Sequence, residues 1–103
     1  MKIEILKCER TNKAYRVIVK DLGISLAVKP ARIFQKLYEN IGKPIPYIDL
    51  LNFIYEENET DPDYYKLRVL DTNLSTKIKP LAKKLGYDLK RQRGQSLTLI
   101  PLI

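Results

Sequence analysis

Leu67, Leu70, Leu74, Ile78, Leu81 and Leu85 recur at three- and four-residue steps and stop at Gly86. Such a series lines one stripe of an amphipathic helix, and the glycine suits its end. Immediately beyond, Leu89 and then Leu97 and Leu99 flank Arg91-Gln92-Arg93-Gly94-Gln95. Apolar positions on both sides of a polar, glycine-containing tip predict a β-hairpin centred on Gly94. A long helix running straight into a hairpin restricts the fold, because both must cover one core without an intervening linker.

The first third reads differently. Ile3, Ile5 and Cys8 alternate loosely with Lys2, Glu4 and Lys7, as in a half-buried strand, with Cys8 facing the core or sheet as a small hydrophobe. Arg10-Thr11-Asn12-Lys13 is a turn, Tyr15–Val19 a β-branched strand, and Asp21-Leu22-Gly23 turns the chain into a third strand, Ile24–Val28. Helical spacing begins after Pro30 with Ile33, Phe34, Leu37, Tyr38 and Ile41, closed by Gly42 at C′. Lys43-Pro44-Ile45-Pro46 cannot be helical and forms a connection. Tyr47, Leu50, Leu51, Ile54 and Tyr55 make a second helix, and Asp61-Pro62 starts the third, with the carboxylate as cap. The expectation is an α+β fold in a single domain over residues 1–103, with an N-terminal antiparallel sheet, a three-helix core and a C-terminal hairpin.

Charge narrows the chemistry. The chain carries 19 Lys and Arg against 12 Asp and Glu, a net charge of +7. That balance favours an anionic partner, either nucleic acid or an acidic protein surface. With no histidine and one cysteine, the chain lacks the usual general base and a thiolate or imidazole metal cage. It also has no glycine-rich phosphate loop and no carboxylate pair at a catalytic spacing, so we expect no enzyme, no cofactor and no metal. Charges interrupt the N-terminal apolar run, and no segment approaches the ~18 apolar residues of a membrane span, so the expected location is cytoplasmic, associated with the nucleoid.

The third helix and the hairpin concentrate the cations. Opposite the Leu74–Leu85 stripe, a helical projection places Thr72, Thr76, Lys79 and Lys83, with Asn73 on the flank and Lys77 and Lys84 nearby. Hydroxyl and ammonium groups at i, i+4 spacing line up along a groove, and they compose a candidate reading face for duplex DNA. Lys90, Arg91, Arg93 and Gln95 surround the hairpin tip, where an arginine suits a narrow, strongly negative minor groove. Arg32 and Lys43, flanking the first helix, are secondary phosphate candidates. Tyr64 and Tyr65 offer rings that can stack on nucleic acid, but residues of this kind are more often helix packing residues, and packing is the expectation. Pro80 removes a backbone bond and clashes with the preceding turn at about 3 kcal/mol, so the helix either kinks there or breaks near Asp71-Thr72-Asn73 or Lys79.

Three stretches together resemble the OmpR/PhoB-type winged helix-turn-helix, the DNA-binding effector domain of many response regulators. They are Gly42-Lys43-Pro44-Ile45-Pro46 followed by Leu50-Leu51 and Ile54-Tyr55, then Leu81-Ala82-Lys83-Lys84-Leu85-Gly86, and finally Arg93-Gly94. The likeness spans nearly the whole chain, with departures at Pro80 and Ala82, where the family often has arginines, and at Ser96-Leu97, where Gly-Tyr is common. It implies a sequence-specific transcriptional regulator, with the recognition helix in the major groove and the hairpin as a basic wing on the minor groove or backbone. It further implies a monomer that occupies tandem DNA sites, and an acidic Glu56–Asp63 loop placed where the family contacts RNA polymerase or another protein; that loop either meets such a partner or simply keeps the domain soluble. The alternative is a winged-helix interaction module whose basic face meets an acidic protein.

Overall fold

The structure is a computed structural model that describes residues 2–61, 63–92 and 95–102. Its first sheet has the order β1-β2-β3, all antiparallel: β1 is Glu4–Lys7, β2 Ala14–Val19 and β3 Ile24–Ala27. The β1–β2 turn closes through Cys8 N–H to Lys13 O at 3.0 Å and Asn12 N–H to Cys8 O at 2.7 Å. Asn12 takes φ 58° there, a left-handed conformation that asparagine tolerates better than most residues. A register shift between Leu6 and Lys7 moves Lys7 opposite Ala14 and leaves Cys8 beyond the strand. Cys8 is exposed, contrary to the core position expected of it. The alternation Val17, Val19 and Leu26 turns one face of this sheet inward, all three being buried.

Helix α1 is Val28–Tyr38, so the third strand ends one residue earlier than its apolar run suggests, and Val28 is exposed. The helix also stops four residues short of Gly42, because Asn40 N–H turns back to Leu37 O and Lys43 N–H to Asn40 O. Gly42 is therefore not the C′ residue. At φ 83° it instead donates its N–H to Leu99 O at 2.8 Å, bringing this turn against the C-terminal sheet. The proline-flanked connection contains a short strand, β4 (Ile45–Pro46), paired with Leu97 and Ser96. Two prolines mask it in sequence, yet an edge position with few ladder bonds accommodates proline.

Helix α2 is Tyr47–Tyr55. The third helix runs without a break from Tyr64 to Lys84 in three parts: α3 (Tyr64–Asn73), a π turn (Leu74–Ile78) and α4 (Lys79–Lys84). Its cap is Asp63, whose carboxylate accepts from Tyr65 N–H at 2.8 Å and Lys66 N–H at 3.2 Å, not Asp61. Pro62 lies outside the described residues. The hairpin pairs β5 (Tyr87–Gln92) with β6 (Ser96–Pro101), and the second sheet has the order β4-β6-β5. Gly94, the expected centre of the hairpin, lies outside the described residues.

One core joins these layers. Ile33, Phe34 and Leu37 of α1 and Leu50 and Ile54 of α2 are buried with Leu70, Leu74, Ile78 and Leu81 of the long helix and Leu89, Leu97 and Leu99 of the hairpin. The base of the hairpin is held to α1 by Tyr38, which meets Tyr87 edge-on at 6.0 Å. The expected α+β architecture is therefore present as three helices with two small antiparallel sheets.

Candidate nucleic-acid interface

The long helix presents one face to the core and the other to solvent. At ~1.5 Å per residue it extends roughly 30 Å, enough to follow a groove of duplex DNA. Leu74 and Ile78 are fully buried, while Thr72, Thr76, Lys77, Lys79, Lys83 and Lys84 are exposed. The Thr72 hydroxyl donates to Arg68 O at 3.0 Å and the Thr76 hydroxyl to Thr72 O at 2.7 Å. With their hydrogens directed to the helix backbone, both oxygens face outward as acceptors. Asn73 stands beside Thr72 in the wall of an open groove of about 360 Å³ that Tyr65, Arg68 and Val69 complete. It is half-buried, donates to Val69 O at 3.1 Å, and lines an interior crevice with Lys29, Ile33 and Tyr55.

The hairpin lies along one flank of this helix. In its register, Leu89 faces Leu99 and Arg91 faces Leu97, while Lys90 faces Thr98 and Gln92 faces Ser96. Side chains alternate along a strand, so the first pair of positions points toward the helices; of the second, Lys90 and Gln92 are exposed, while Ser96 is buried where β4 pairs with β6. Leu89, Leu97 and Leu99 are accordingly buried. Arg91, on the same face but nearer the tip, is exposed and reaches across to Asp71, with Nη1 to Oδ1 at 3.3 Å. Asp71 and the buried Ala82 mark the flank that meets the hairpin. At about 100° per residue, Lys77 and Lys84 fall roughly on the opposite flank.

Gln95 is exposed, and its backbone closes the hairpin turn by donating to Gln92 O at 2.9 Å. Its carbonyl accepts from Tyr47 N–H at 2.9 Å, which fastens the first turn of α2 to the hairpin tip. Arg93, the arginine expected at the tip, lies outside the described residues.

The two secondary candidates separate. Lys43 is exposed in the turn before β4. Arg32 turns inward: Nη1 donates to Ile54 O at 2.6 Å, and Nη2 lies 3.4 Å from Glu56 Oε1. It thus caps the carbonyl end of α2, where a cation offsets the helix dipole, and is not placed as a phosphate ligand. Tyr64 and Tyr65 depart from expectation in the other direction. They are 76% and 73% exposed and do not pack in the core.

The electrostatics are segregated along the chain. Residues 44–65 hold six of the twelve acids and no lysine or arginine, so the remaining residues carry 19 cations against six acids, a net of +13. The acidic stretch is pinned in place. The Asn52 side chain donates to Glu59 O at 3.0 Å and accepts from Glu59 N–H at 3.1 Å, and Glu57 pairs with Lys66. That hydrogen bond from Lys66 raises its pKa above the ordinary lysine value, with desolvation opposing. An open cleft of about 620 Å³ between the β1–β2 turn, α1 and α2, lined in part by Lys13, Lys36, Asn52 and Phe53, involves none of the helix–hairpin residues.

Sequence spacing located most of the exposed cations but missed Asp71, Gln35 and Asn52. Each acts through a partner brought near only by folding, and no local pattern signals it. No family model, no curated protein and no solved structure matches this chain.

Proposed function

We propose that this chain is a winged helix-turn-helix protein of the OmpR/PhoB type that binds double-stranded DNA and regulates transcription. The observation that carries the reading is the placement of the solvent face of the long helix beside the hairpin, the two bridged by Arg91 and Asp71. Thr72, Thr76, Lys79 and Lys83 project from the helix, and Lys90 and Gln92 are exposed on the hairpin. In this reading the helix lies in the major groove, with the threonine oxygens accepting from base amino groups and the lysines reaching phosphate or guanine edges. The hairpin lies on the neighbouring backbone or minor groove. The chain binds as a monomer, in adjacent copies on tandem sites.

The segregated charge supports the orientation. Phosphate repels the 44–65 segment, which therefore faces away from DNA. Its pinned acidic loop suits a protein contact, with RNA polymerase or another protein.

Titration of a labelled duplex at two salt concentrations tests the proposal. Lys83→Ala should weaken binding to all duplexes alike and flatten the salt dependence by about one counterion. Lys79→Ala should lose about 1–3 kcal/mol on a selected site and less on random duplex. Binding of an acidic protein with no affinity for DNA would replace this reading with that of an interaction module.

A further inference from the structure

Asp71 is the one carboxylate on the long helix, and it is directed at the hairpin. Its Oδ1 lies 3.3 Å from Arg91 Nη1 across the gap between helix and wing, with both side chains partly open to solvent. The cross-strand register explains why Arg91 is available to it. Arg91 stands opposite Leu97 on the face that packs against the helices, but near the tip, where the core no longer covers it. Lys90 and Gln92 emerge on the other face and have no carboxylate partner among the described residues. Arg91 is thus a cation of the proposed DNA-binding face that the free protein already holds paired.

We infer that Asp71 is a specificity-determining residue of the proposed DNA-binding face, withholding Arg91 from phosphate so that arbitrary duplex is bound weakly. This rests on the reading of that face as DNA-binding. For Arg91 to engage a phosphate, it must leave Asp71, and the freed carboxylate then stands near a polyanion. Both effects oppose binding wherever base contacts do not offset them, which is discrimination by an unfavourable element rather than an added attraction. The pair contributes little to folding, because an exposed ion pair of this kind is worth ~0–1 kcal/mol. Replacing Asp71 therefore changes the charge of the face and leaves the fold in place.

The test is a double-mutant cycle on a fluorescein-labelled duplex of arbitrary sequence, followed by anisotropy across a salt series. Wild type, Asp71→Asn, Arg91→Gln and the double variant are compared, with thermal melts confirming that each is folded. Asp71→Asn should tighten binding by about three- to tenfold at low salt and steepen the slope of log K against log salt by about 0.9, the release of one further counterion. In the Arg91→Gln background the same substitution should tighten binding clearly less, by about twofold, because it relieves only the carboxylate's repulsion of phosphate and the cation it would free is gone. Equal tightening in both backgrounds would mean that Asp71 acts only as a general negative charge, and no tightening would mean that it withholds nothing. Either result overturns the inference while duplex binding by the wild type stands. If no form of the chain binds duplex at low salt, the DNA-binding reading falls and the inference falls with it.

Discussion

The amide of Lys79 donates to the carbonyl of Leu74, five residues back, immediately ahead of Pro80. This π turn resolves a conflict visible in the sequence. Proline disfavours helical geometry in the residue before it and clashes with the carbonyl four residues back. Yet Lys79 is helical, at φ −60° and ψ −46°, and the helix is not interrupted. Widening the turn by one residue moves the obstructing carbonyl and places Pro80 in the first turn of a new α-helical segment, where a missing N–H is tolerated.

Pro80→Ala should accordingly change stability by no more than about 1 kcal/mol, because the proline occupies a first-turn position. A proline forced into a regular helix interior would instead release about 3 kcal/mol on replacement. Urea unfolding measures the difference, and a gain near the larger value would show that the π turn does not relieve the clash.

Gln35 is 1% exposed, and its amide joins α1 to the first hairpin. Oε1 accepts from Ala14 N–H at 2.7 Å, and Nε2 donates to Asn12 O at 2.9 Å. Gln35→Leu adds apolar surface to the core but strands a buried backbone donor, so it should destabilise by about 1–3 kcal/mol. A more stable variant in equilibrium unfolding would contradict the assigned role.

These residues mark how far the sequence could be read. Periodicity located β2, α2 and the long helix because each buries a continuous apolar stripe, and it placed Leu89, Leu97 and Leu99 on the core side of the hairpin. It missed β4, whose two residues lack a period and whose prolines argue against a strand. The cap shifted from Asp61 to Asp63 because Pro62 marks Asp61 as the cap in sequence, whereas the helix starts at Tyr64 and brings the Asp63 carboxylate to its free N–H groups. In the candidate site, exposure of Thr72, Thr76, Lys79 and Lys83 followed from the leucine stripe opposite them. The inward turn of Arg32 did not, since it is set by the Ile54 carbonyl, which it reaches only in the folded chain.

Cys8 sits at the exposed start of the β1–β2 turn, where the backbone N–H groups of Thr11 and then Arg10 lower its pKa below the ordinary thiol value. The thiolate is the reactive form, so alkylation by iodoacetamide should reach its half-maximal rate at a lower pH in the folded chain than in urea. By linkage, the stabilisation from this turn is present above the pKa of the unfolded thiol and fades as pH falls through the folded value. Coincident alkylation midpoints would show that the turn does not stabilise the thiolate.

Backbone amide chemical shifts, followed by NMR while duplex DNA is added, report which face of the protein meets the duplex. Perturbations should concentrate in Thr72–Lys84, in the hairpin from Lys90 to Gln95 and at the Tyr47 amide bonded to Gln95, with residues 52–61 and the β1–β2 turn nearly unchanged. Shifts confined to the acidic segment or the N-terminal sheet, or no shifts at low salt, would contradict the proposed DNA-binding face.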